Sequence, residues 1–125
     1  MTPARKRRRI LALTEAWRVP LGLGNWSFDV RFDDTVPEQA SCVADPEYRK
    51  AALIFNLRRL HADELDETVL HEMLHCIGWP IAALAIKWAQ NDKERRDVAR
   101  QAEELLITHL SNVILPMLPR VITCG

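Results

Sequence analysis

Three residues in the stretch TVLHEMLHCIGWP, residues 68–80, have the types and spacing of a metal site: His71, Glu72 and His75 form H-E-x-x-H. On an α-helix, residues four apart share a face, so the two imidazoles project together and can share one cation. Imidazole nitrogen suits zinc, and the intervening glutamate sits where it can reach a water at the metal without ligating it. The plainer alternative is an amphipathic helix whose two histidines face different neighbours. Two ligands leave a catalytic site incomplete, because such a site takes three from the protein and keeps one position open.

One way to complete the set extends the motif to H-E-x-x-H-x-x-G-x-x-H. Gly78 fits that pattern, but the final histidine position is Ile81, so this class is excluded. A carboxylate from a later helix is the remaining route, with Gly78–Pro80 expected to break the motif helix and let the chain turn back. The downstream carboxylates are Asp92, Glu94, Asp97, Glu103 and Glu104, and the first three lie in the charged stretch NDKERRD. At about 100° per residue, the apolar arc Ala99, Ala102, Leu106, Leu110 and Val113 centres on Leu106. Glu103 then falls roughly 60° from the centre and Glu104 roughly 160°. A carboxylate on a buried face needs a partner. Glu103 is therefore the expected third ligand, and rotating the helix by one residue would select Glu104 instead.

The elements that must position these groups follow from periodicity. Ile10, Leu13 and Trp17 predict an amphipathic helix over residues 5–18, broken by VPLGLGN. In WSFDVRFD, Trp26, Phe28, Val30 and Phe32 alternate with polar residues, the pattern of a strand with one buried face. ASCVA and AALIFNL (residues 51–57) are two further candidate strands. Asp63 offers an N-cap, with Asp66 in the capping-box position, for a helix over residues 64–77 that Gly78 and Pro80 should end. Residues 81–90 and then Asp92 to about Leu115 predict two more helices. The expected fold class is α+β: an N-terminal helix, a small three-stranded sheet, the motif helix and a C-terminal helix carrying the third ligand.

At 125 residues, 48% apolar and 27% charged, the chain has the size and composition of one globular domain spanning 1–125. Seventeen basic and seventeen acidic side chains cancel, so no overall field points to nucleic acid or acidic lipid. The local exception is RKRRR at Arg5–Arg9: a solvated first helical turn or frayed terminus, with the alternative of a basic, flexible arm in residues 1–9 that binds phosphate or a partner. Cys42, Cys76 and Cys124 form neither a C-x-x-C pair nor an even framework, which favours reduced thiols and a cytoplasmic setting. The longest uncharged apolar run, GWPIAALAI, is shorter than a membrane span, so no membrane partner is expected.

H-E-x-x-H followed by a glutamate on a later helix resembles the gluzincin zinc metallopeptidases. The run ETVLHEMLHCIGWP…AEELLITHLSNVI and the small size are similar to their minimal single-domain members, often encoded by phages and prophages. Such a resemblance covers nearly the whole chain and implies a zincin-like fold. It also implies peptide-bond hydrolysis at a Zn2+ held by His71, His75 and Glu103, with Glu72 as general base. An Asp four residues after the ligand glutamate, the orienting carboxylate of larger gluzincins, is missing: Ile107 follows Glu103 and Thr108 follows Glu104. Tyr48, His61 and His109 are candidates for stabilising the oxyanion. In this architecture the strand before the motif helix forms the cleft's edge and pairs with an extended peptide, which here would be AALIFNL. Two other functions fit the same residues: a DNA-associated zinc protease using the basic arm, and a non-catalytic, metal-stabilised interaction or virion protein.

Overall fold

Thr2 opens the first helix, α1 (Pro3–Arg18): its hydroxyl accepts a hydrogen bond from the Arg5 amide at 3.2 Å. Pro3 occupies the first turn, where a missing N–H leaves no bond unmade. Ile10, Leu13 and Trp17 are buried as their spacing requires. The computed structural model describes residues 1–123; Cys124 lies outside the described residues. The basic run lies at the start of α1, and Lys6, Arg7 and Arg9 are engaged within the domain. Lys6 donates to the carbonyls of Leu57 and Leu60 at 2.9 and 2.7 Å, and Arg7 stacks over the Phe32 ring. Arg9 pairs with Asp66 at 2.6 Å and donates to the Val121 carbonyl.

Three strands follow: β1 (Ser27–Phe32), β2 (Ala40–Asp45) and β3 (Lys50–Phe55), in the spatial order β1-β3-β2. β1 runs parallel to β3 and β2 antiparallel to it, with Val30 and Cys42 both opposite Leu53. β1 keeps the alternation read from its sequence, with Phe28, Val30 and Phe32 packed against the core. The near-continuous apolar run of β3 reflects a central position: Ala51, Leu53 and Phe55 are buried on one face, and Ala52 and Ile54 are half-covered on the other. The expectation that β3 forms the cleft's edge is therefore corrected. Both of its hydrogen-bonding edges are filled; the free edges are on β1 and β2, and it is β2 that borders the cleft.

A short 3-10 turn, Ala62–Glu64, leads into α2 (Leu65–Ala89), so the helix begins at Leu65 without a side-chain cap. Asp63 does not cap it, and Asp66 is drawn instead to Arg9. α2 does not stop at Gly78–Pro80 but runs 25 residues, with Pro80 inside it. Proline removes one backbone bond and crowds the preceding turn, yet the helix continues past it while packed against the next helix. Gly78 is what permits that packing, since a Cβ there would lie 3.1 Å from Ile107 Cδ1. The turn-back comes at Gln90, at φ 50°, and Asp92 caps α3 (Lys93–Ile114) by accepting from the Arg95 amide at 3.2 Å. α2 and α3 form an antiparallel hairpin, and α2 also packs on α1, β2 and β3. Its unbroken length makes the segment Ala62–Ala89 long and apolar enough to cross a membrane by composition. Val69, Leu70, Met73 and Leu74 in its first half are covered inside the domain, whereas Ile77, Ile81, Leu84, Ile86 and Trp88 in its second half are exposed. The architecture is α+β, in the element order anticipated except that one helix replaces two.

Candidate metal centre

The middle of α2 presents His71, Glu72 and His75 to the groove between β2 and α3. Their ligand atoms all lie within 4.8 Å of one another, a group that could hold a metal ion. The imidazole rings sit 5.0 Å apart and edge to face. Core residues on the opposite face of the same turns, Leu70, Met73 and Leu74, fix the rotation of the helix and so the direction of the histidines.

α3 returns along α2 and brings two carboxylates to these rings. Glu104 spans both: one oxygen lies 3.0 Å from His71 Nε2 and the other 3.1 Å from His75 Nε2. Glu103 meets the other nitrogen of His75, Nδ1, at 3.0 Å. A neutral imidazole carries one N–H. With carboxylates at both nitrogens of His75, one of the two contacts needs a further proton, on ring or carboxyl, or a cation. The two Nε2 atoms thus share one carboxylate, that of Glu104.

The placement of both glutamates corrects the helical arc drawn from the sequence. The buried stripe of α3 runs through Ile107 and Ser111, whereas Leu106 is 38% and Val113 51% exposed. Centred on Ile107, the inward face has Glu103 and Glu104 at about 40° and 60° on either side. The error was one residue, about 100° of rotation. It arose because Leu106 and Val113 are apolar yet face outward.

Glu72 is buried, with 6% of its surface exposed. Burial pushes its carboxyl up to about 7, with the charge of Glu104 adding to the rise and that of His75 opposing it. Behind it, Cys42 of β2 and Cys76 of α2 approach to 3.8 Å between sulfurs. The hydrogen bond with Cys76 and burial both push the Cys42 thiol up.

The groove itself is a cleft of about 590 Å³, within the usual size for a ligand site. Its floor is α2, its walls are β2 (Ala40 to Ala44) and the Arg100–Glu104 stretch of α3, and Trp79 extends the floor past the histidines. Toward the start of α2 it opens into a second lobe lined by Glu64, Glu67, Thr68 and Thr108. None of Tyr48, His61 and His109 lines either lobe. Tyr48 is 70% exposed in the turn between β2 and β3, under Lys50. Trp79 and Arg100 had carried no role in the sequence. They enter the cleft because α2 continues past Pro80, which nothing in the local pattern signals. Comparison with protein-family models, curated proteins and solved structures finds no match to this chain.

Proposed function

We propose that the protein is a zinc-dependent peptidase in which His71, His75 and Glu104 hold the metal and Glu72 is the general base. Support comes from one arrangement: a buried glutamate with a carboxyl near neutrality, set between two histidines whose Nε2 atoms share a carboxylate. Glu104 is preferred to Glu103 as the third ligand because its oxygens face the same nitrogen of both rings. Glu103 contacts only Nδ1 of His75, where a carboxylate fixes the ring's orientation and raises its basicity. It thereby fills the orienting role that lacks an aspartate one turn on. Two nitrogens and one oxygen suit zinc and leave a position open.

When bound, zinc supplies Lewis-acid polarisation of the scissile carbonyl and acidifies a water. Glu72 accepts the water's proton at a carboxylate oxygen and delivers it to the leaving amide nitrogen. Its raised pKa keeps it able to do both near neutral pH. The covered side of the motif, formed by β2 and the thiol pair, limits water around that carboxylate. The free edge of β2 lies alongside and offers unpaired backbone groups to an extended peptide.

Zinc loading followed by metal analysis should give about one ion per chain. Glu72→Gln should retain that zinc and lower peptide turnover at least about a hundredfold. A chain that takes up no zinc, or a Glu72→Gln variant as active as the parent, would refute the reading.

A further inference from the structure

Beyond the histidines the cleft changes character. Its floor becomes apolar, with Trp79, Ala82 and Ile86, and Arg100 stands on the α3 wall above them. Arg100 also lines the adjoining hollow between the helices together with Arg96, so both cations of this region border one space. Among the described residues Arg100 forms no ion pair or hydrogen bond. Of the carboxylates within one turn of it on its own helix, Glu103 and Glu104 are turned to the histidines and Asp97 makes no ion pair with it. The lobe on the other side of the site has the opposite sign, with Glu64 and Glu67 at its rim and neither lysine nor arginine in its lining. The site thus lies between a lobe rimmed by Glu64 and Glu67 and an apolar-floored one that carries the unpaired Arg100.

We propose that the lobe of Trp79 and Arg100 is a specificity subsite for a carboxylate on the substrate, received by Arg100 while the carbon stem lies on the indole. This deepens the peptidase reading and rests on it. An unpaired guanidinium over an apolar floor matches a side chain that is apolar along its stem and anionic at its tip. The same group placed in the other lobe would meet Glu64 and Glu67 and be repelled, so the charge pattern fixes which side of the cleaved bond carries the acid. The carboxylate can come from a Glu or Asp side chain or from the peptide's own C-terminus, since the guanidinium recognises the same group in each.

The test uses zinc-loaded full-length protein and quenched fluorescent peptides that differ at one position by Glu, Gln or Lys, each as free acid and as C-terminal amide. Glu should be preferred to Gln about threefold at low salt on one side of the cleaved bond only, the size of an exposed ion pair. The preference should vanish in Arg100→Gln and turn toward Lys in Arg100→Glu, with zinc per chain unchanged. A preference for the free acid over the amide, equally dependent on Arg100, would identify the C-terminus as the carboxylate. Equal cleavage of Glu and Gln peptides, or a preference that survives Arg100→Gln, overturns the subsite and leaves the peptidase reading standing. If no peptide is cleaved, the Glu and Gln peptides are titrated calorimetrically against zinc-loaded Glu72→Gln. Tighter, Arg100-dependent binding of the Glu peptide keeps the subsite while the peptidase reading falls; equal binding sinks both.

Discussion

Replacing Glu72 by Gln should make the metal-free protein more stable, and by an amount that grows with pH. The carboxyl is held at about 7 in the fold, against an ordinary value of 4.5, because burial penalises its charged form. The sign follows from proton binding: between these two values the folded state holds more protons than the unfolded one, so stability is fully present below 4.5 and lost as pH rises through 7. A difference of about 2.5 units at 1.36 kcal/mol each corresponds to about 3 kcal/mol at pH 8 and just under about 1 kcal/mol at pH 5. Glutamine has the shape of the protonated acid and never ionises. Urea unfolding of both proteins in chelator, at pH 5, 6, 7 and 8, should show the variant's advantage rising by about 2 kcal/mol across the series. An advantage independent of pH, or a variant less stable at pH 8, would show that Glu72 is not held in a desolvated position and would remove the basis for its role as a base.

Glu104→Gln should weaken zinc binding more than Glu103→Gln, with the latter losing about tenfold to a hundredfold as a residue that orients a ligand; competition with a chromophoric chelator ranks them, and the reverse order would return the ligand role to Glu103. Oxidised glutathione should join Cys42 and Cys76, whose sulfurs stand 3.8 Å apart, in an intrachain disulfide with release of two reduced glutathiones. Peptide mapping of a Cys124→Ser protein checks this, and a mixed glutathione adduct without the crosslink would contradict it. Gly78→Leu should cost at least about 2 kcal/mol in chemical unfolding, because even a Cβ at that point comes within 3.1 Å of Ile107. Stability equal to the parent would mean that the two helices do not approach there. Arg9→Met should cost about 1 kcal/mol by leaving Asp66 and the Val121 carbonyl without their shared partner.

Where neighbours in sequence are also neighbours in space, the sequence was a good guide. The alternation of Phe28, Val30 and Phe32 is a local pattern, and β1 has it in the fold. The four-residue spacing of His71 and His75 is likewise set by helix geometry alone, and the two rings do face one groove. The misreadings share one cause. Gly78 and Pro80 read as a stop because each is one in an isolated helix, while the contact of Gly78 with Ile107, 29 positions on, has no local signature. β3 looked like the cleft's edge from its place before the motif helix, but strand order is decided by pairing between distant segments.

The sequence by itself determined the α+β class, the motif helix and the two histidines with their glutamate, since each depends on backbone periods of two or 3.6 residues. Only the tertiary structure decided what stands opposite them. The rotation of α3 about its axis is set by which residues fill the space left by α2 and the sheet, and Ile107 rather than Leu106 fills it. One residue of rotation moves a side chain by about 100°, enough to carry Glu104 from the solvent side to the two Nε2 nitrogens. Composition cannot fix that angle; the packing of the α2–α3 hairpin does.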